Sequence, residues 1–121
     1  MKSLLIWATS VVCIVLSTTA YAGSPAARVG DFAECPIVTP GYPPIPHVGG
    51  PIIGPGVPTV LIAGMPAATL GSLIAEVGPP ATIAFGSATV FIGGMPAARL
   101  GDLTSHGGVI VNGAFTVLIG N

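Results

Sequence analysis

Three near-copies of one short segment constrain this chain more than anything else in it: PAARVGD at 25–31, PAATLGS at 66–72 and PAARLGD at 96–102. A second triplet interleaves with the first, as GVPTVLIAGM at 56–65, GSATVFIGGM at 86–95 and GAFTVLIGN at 113–121. Each unit therefore reads as a PAAR-like segment, a connection and an Ile-x-x-Gly step (Ile53 to Gly56, Ile83 to Gly86, Ile110 to Gly113). A Thr-Val-apolar-Ile run closes it. Self-similarity on this scale marks a repeat architecture in which no unit can bury its apolar face alone. Three units must then pack around one axis, which predicts a compact, all-β body of short strands with pseudo-threefold symmetry.

The runs Thr59 to Ile62, Thr89 to Ile92 and Thr116 to Ile119 are rich in β-branched residues and bounded by Gly or Pro, and so read as strands. Gly64 and Gly94 supply the turn that leads into the next segment. Helices are not expected beyond residue 22, because hardly any stretch there runs ten residues without Gly or Pro. The 18 Gly and 13 Pro would suggest disorder in a polar chain, but 51% of residues are hydrophobic, enough to bury a core. The spacing between segments is 41 residues from Pro25 to Pro66 and 30 from Pro66 to Pro96, so unit one is 11 residues longer. Most of that excess is the Pro/Gly stretch VTPGYPPIPHVGGP at 38–51, expected as a surface loop.

Residues 1–22 have a different character. Lys2, the apolar run Leu4 to Leu16 and the small residues ending at Ala22 follow the order of a secretory signal peptide. The same stretch, uncharged from Leu4 to Ala22, also approaches the roughly 20 residues that span a bilayer. The expected organisation is thus a signal peptide or membrane anchor over 1–22, a hydrophobic helix, and a repeat domain over 23–121. Either form of leader points to the cell envelope or to secretion.

The repeat domain sets Arg28 and Arg99 against Asp31, Glu34, Glu76 and Asp102, a formal charge of −2. No basic patch exists to neutralise phosphates, which argues against nucleic-acid partners. Arg28 and Arg99 share one repeat position and Asp31 and Asp102 another, so they read as structural pairs; Thr69 and Ser72 replace both in the middle unit. With Cys35 as the one cysteine outside the leader there is no internal disulfide framework. That leaves a reactive thiol, an intermolecular bridge or a metal ligand.

Spacing singles out the ligand reading. Four residues beyond the end of each PAAR-like segment stand Cys35, Glu76 and His106, and threefold symmetry would gather these positions. His47, in the inserted stretch, is the other histidine, and its PHVGGP context is similar to the SHGGV around His106. Two His, one Cys and one carboxylate can close a tetrahedral structural Zn2+ site. The plainer alternatives are a His capping a Gly-Gly turn, a buried apolar Cys35 and a solvated Glu76. A hydrolytic zinc with Glu76 as base would need a substrate pocket that so small a body hardly offers, so the chain reads as non-enzymatic.

The three segments, together with PHVGGPI (46–52), VGPPATI (77–83), GSATVFIGGMPAARLGD (86–102) and TSHGGVIV (104–111), resemble the PAAR-repeat proteins. The resemblance covers nearly all of residues 24–121. It implies a small cone that caps the trimeric VgrG spike of a type VI secretion system or a related contractile tail, with zinc near the apex. It also implies transient membrane contact, effector cargo as a further partner, and a cytoplasmic stage before export. His47 and His106 match the family's zinc histidines. Ala33 stands where relatives commonly carry a His, and Glu76 where they commonly carry a Cys before Gly-Pro-Pro. The alternative is a secreted or periplasmic zinc-binding structural module that uses the same fold without a spike.

Overall fold

The computed structural model describes residues 23–120, and the expected leader and its helix lie outside them. The described residues are all-β, in small curled sheets. Unit one contributes β1 (Ser24–Ala26), β2 (Phe32–Thr39), β3 (Ile45–Gly54) and β4 (Val57–Ile62). Unit two follows with β5 (Met65–Ala67), β6 (Leu73–Ile74), β7 (Ala81–Thr82) and β8 (Phe91–Ile92), and unit three with β9 (Met95–Pro96) and β10 (Ala114–Ile119). The pairs β4–β5 and β8–β9 are hairpins, and β1 with β10 completes the set from opposite ends of the chain.

Backbone hydrogen bonds close the threefold arrangement into rings. The Ala27 amide donates to the Ala98 carbonyl (2.9 Å), Ala98 to Ala68 (3.1 Å) and Ala68 to Ala27 (3.0 Å), so three equivalent residues each serve the next around the axis. A second ring runs from Val29 to Pro66, Leu70 to Pro96 and Leu100 to Pro25, at 2.8 to 2.9 Å. The second Ala of each PAAR-like segment lies on the axis and is 0 to 1% exposed, which is why nothing larger stands there. Gly56, Gly86 and Gly113 meet the next segment as closely: a Cβ on any of them would lie about 3 Å from a Pro Cβ (Pro66, Pro96, Pro25). The Ile-x-x-Gly step ends in Gly because the neighbouring unit occupies the space of its side chain.

Two apolar layers stack along the axis. Ala26, Ala67, Ala97 and Ala114 pack with Ile62 and Ile119 beside the hairpins. Ala27, Ala68 and Ala98 pack with Ile52, Ile74, Ile83 and Ile110 on the other side. The basal end of the body thus carries the turns at Ala63-Gly64 and Gly93-Gly94, in which all four residues have positive φ as a two-residue hairpin turn requires. The connections that follow Asp31, Ser72 and Asp102 form the apical end.

Three sequence expectations need correction. The first Ile-x-x-Gly step begins at Ile52, not Ile53: the Ile52 amide donates to the Asp31 carbonyl, as Ile83 does to Ser72 and Ile110 to Asp102. Unit one has one residue more here, taken up by a register shift between Ile52 and Gly54 that leaves Ile53 exposed. The inserted stretch is mostly the β2–β3 hairpin rather than a loop, the longest pairing among the described residues. Finally, the middle strand is confined to Phe91–Ile92 instead of starting at Thr89. The Ser87 hydroxyl accepts the amides of Thr89 (3.3 Å) and Val90 (3.0 Å), a local competitor for the ladder that Val57 and Ala114 do not offer at the same position.

Between the two ends, each PAAR-like segment is braced three residues on. Asp31 accepts the Arg28 amide (2.8 Å) and two guanidinium bonds, and Asp102 does the same for Arg99. In the middle unit the Ser72 hydroxyl accepts the Thr69 amide at 3.2 Å and donates to the Pro55 carbonyl at 2.7 Å. The brackets are structural, as the repeat positions suggested.

Candidate metal centre

The apical end brings Cys35, His47, Glu76 and His106 together. One ligand atom from each, Sγ, a ring nitrogen, a carboxylate oxygen and a ring nitrogen, lies within 4.8 Å of every other. Three of the four arrive by the repeat. Cys35 sits on β2, Glu76 on the connection after β6 and His106 in the turn between Thr104 and Gly108, each four residues past its bracket. His47 comes instead from β3 of the inserted hairpin. The two histidine contexts therefore differ in shape despite their similar sequences: His47 is on an extended strand, where Val48 takes up the positive φ, while His106 is in a turn.

Glu76 is the hub. Its Oε2 accepts from His47 Nδ1 at 2.9 Å and from His106 Nδ1 at 2.8 Å, while Cys35 Sγ stands 3.7 Å from the same His106 nitrogen. The Glu76 side chain is 1% exposed and that of His47 5%. Such burial pushes a carboxyl upward, but hydrogen bonds from Cys35, His106 and His47 outweigh it, so Glu76 titrates below the ordinary carboxylate range. Burial, with Glu76 beside it, raises the Cys35 thiol. The His47 and His106 rings lie 5.2 Å apart, tilted by 58°.

The donor set fits a borderline divalent cation. Two imidazole nitrogens, a thiol sulfur and a carboxylate oxygen are zinc ligands, and tetrahedral zinc spaces such atoms about 3.3–3.6 Å apart. To meet that spacing the hydrogen-bonded separations of 2.8 and 2.9 Å open by about half an ångström, and the widest separations, within 4.8 Å, close by about one ångström. A cleft of about 310 Å³ lined by Glu34, Cys35, Pro36, Gly107 and Gly108 opens beside Cys35 and gives access from solvent. Ala33 is 3% exposed and packs in the apolar layer below.

One participant escaped the sequence reading. The Thr39 hydroxyl lies 2.8 Å from His47 Nε2, on the side of the ring away from Glu76. No repeat position marks Thr39; its one signal is a hydroxyl that shares the Pro/Gly-rich inserted stretch with His47.

The family model for the PAAR motif matches residues 41–112. This span includes His47, Glu76, His106 and two of the three PAAR-like segments. No curated protein matches the chain.

Proposed function

Because this chain belongs to the PAAR-motif family, we propose that it is a structural, non-enzymatic tip protein that caps a trimeric spike of the VgrG type, in a type VI secretion system or a related contractile tail. The observation that carries this reading is at the basal end. Leu61, Phe91 and Leu118 occupy one repeat position and are 61, 57 and 53% exposed. Met65 and Met95 stand beside them on the paired strands, each 41% exposed. A trimer presents three identical surfaces around one axis, and a single chain can cap it only by offering three near-equivalent contacts. Large apolar side chains repeated on an outward face mark an interface rather than a solvated surface. The middle residues of β4 and β10 face outward as well, so strand edges and apolar contacts meet the partner together.

At the other end, Cys35, His47, Glu76 and His106 would hold Zn2+. Its chemistry here is that of a cross-link, tying the inserted hairpin to the connections of units two and three. The surface between suits passage through a bilayer, since two ion pairs and the Glu76 network leave Glu34 as the one charged side chain outside them among the described residues. In this reading the chain waits in the cytoplasm before export, and any effector cargo would travel with it. N-terminal sequencing of the purified protein decides the fate of residues 1–22.

The test is assembly with purified VgrG-type trimers. One copy per trimer should elute as a complex, and a Leu61→Asp/Phe91→Asp/Leu118→Asp variant should lose the complex while keeping the melting temperature of the parent. If the parent binds zinc yet no spike trimer captures it, the tip role fails and the unattached zinc module stands in its place.

A further inference from the structure

Threefold symmetry supplies three equivalent positions at the apex, but the centre has four members. Cys35, Glu76 and His106 inherit their places from connections pinned to a neighbouring unit by backbone bonds: the Glu34 amide to the Val109 carbonyl at 2.9 Å, Ala75 to Pro51 at 3.0 Å, and Ser105 to Thr82 at 2.8 Å. His47 sits on the part of the β2–β3 hairpin that extends beyond the short β6–β7 and Leu103–Val109 pairings of the other units. Its carbonyl accepts the Val77 amide at 3.3 Å, but the β2–β3 register shifts between Cys35 and Val38, just where the ring must be aimed.

Two contacts aim it. Thr39, across the hairpin, places its hydroxyl 2.8 Å from Nε2. Gly78 closes the other approach: a Cβ there would lie 3.1 Å from Nε2 and 3.4 Å from Cδ2, so the ring packs where a side chain would be. Resting on the zinc reading of this centre, we propose that Thr39 is its positioning residue, holding the His47 ring with Nδ1 toward the other three members in both the metal-free and the metal-bound protein.

The hydroxyl can serve both states because it can reverse its hydrogen bond. In the metal-free protein the Glu76 carboxylate only accepts, so the Nδ1 facing it at 2.9 Å carries the hydrogen. A neutral ring has one N–H, which leaves Nε2 with a lone pair that accepts from the Thr39 hydroxyl. When Nδ1 is a ligand its lone pair is committed, the single hydrogen resides on Nε2, and Nε2–H donates to Thr39 Oγ1. The ring neither gains nor loses a proton; the hydrogen changes nitrogen and the hydroxyl rotates. Valine, of the same shape, does neither, and serine does both. Outer partners of this kind fix ring orientation and basicity, and losing one typically weakens metal binding by about 10–100-fold.

The experiment uses zinc alone as probe, in competition with a chromophoric chelator, on the full chain and its Thr39→Val and Thr39→Ser variants. Ring ¹⁵N shifts of histidine-labelled protein report the tautomer. Thr39→Val should weaken zinc binding by about 10–100-fold and Thr39→Ser should restore it. In the parent the His47 hydrogen should move from Nδ1 to Nε2 on adding zinc, and in Thr39→Val the metal-free ring should lose its single tautomer. Equal zinc affinity in Thr39→Val and parent overturns the positioning role alone. Failure of the parent to bind zinc overturns the metal reading and this inference with it. If Thr39→Val melts far below the parent without metal, the serine variant and the tautomer signals still decide.

Discussion

The basal and apical ends are built from the same three backbone units and use them in opposite ways. At the base the side chains repeat with the backbone: Leu61, Phe91 and Leu118 are alike in size and exposure, as are Met65 and Met95. At the apex the equivalent positions hold Cys35, Glu76 and His106, three different chemistries that converge because the backbone is symmetric. Repetition suits a contact with a symmetric partner. Convergence of unlike groups suits a chemical centre. One scaffold does both because the rings of axial hydrogen bonds fix position independently of what each side chain is.

If the interior holds the scaffold and the base faces a partner, truncation should separate them widely. Ile83 is 1% exposed in the layer beneath the apex, whereas Leu61 is 61% exposed. Ile83→Ala should cost about 2–5 kcal/mol of folding stability, the range for a buried aliphatic reduced to alanine. Leu61→Ala should stay within about 0.5 kcal/mol, as surface substitutions do. Denaturant unfolding of both measures the contrast, and similar midpoints would break it.

A smaller effect is expected where the apex is tightest. A Cβ on Gly108 would overlap the Glu34 carbonyl oxygen and lie 3.1 Å from the Cys35 Cα, so Gly108→Ala must push β2 away from the turn that carries His106. Overpacking of this kind costs about 1–3 kcal/mol, and here it should weaken zinc binding as well, since it moves two of the four members apart. At the basal turn Gly64 has open space where a Cβ would go, and its substitution should leave zinc binding unchanged. Melting and chelator competition on the two variants sharpen the comparison; an unaltered Gly108→Ala protein would break it.

How much of this was legible depended on whether the sequence repeated it. The all-β symmetry, the brackets and the convergence of Cys35, Glu76 and His106 all followed from counting equivalent positions. Legibility failed where a local feature belongs to one unit only. The extra residue between Ile52 and Gly56 hid the true register, because Ile52 and Ile53 are the same residue type and only the hydrogen bond to Asp31 tells them apart. Ser87 shortened β8 through a hydroxyl that its equivalents lack. The extension of the β2–β3 hairpin beyond the short pairings that units two and three make at the same place, and Thr39 on it, have no counterpart elsewhere among the described residues, so no repetition could announce them. A Pro/Gly-rich stretch read as loop because its pairing is set by tertiary context, not by propensity.

The smallest effect is expected at the waist between the two ends, where two chemistries already do one job. In every unit a side-chain oxygen accepts the amide three residues before it: Asp31 from Arg28 at 2.8 Å, Ser72 from Thr69 at 3.2 Å, Asp102 from Arg99 at 2.7 Å. If that amide bond is what the scaffold needs, converting unit three to the middle unit's pair, Arg99→Thr with Asp102→Ser, should cost no more than about 1 kcal/mol, the usual worth of a partly exposed ion pair. Arg99→Thr with Asp102→Ala strips the half-buried amide of its acceptor as well and should cost about 1–3 kcal/mol beyond that. Thermal melts of the two double variants read the difference directly. Should the serine variant fall as far as the alanine one, the ion pair rather than the amide cap would be the bracket, and the middle unit would owe its shape to its neighbours.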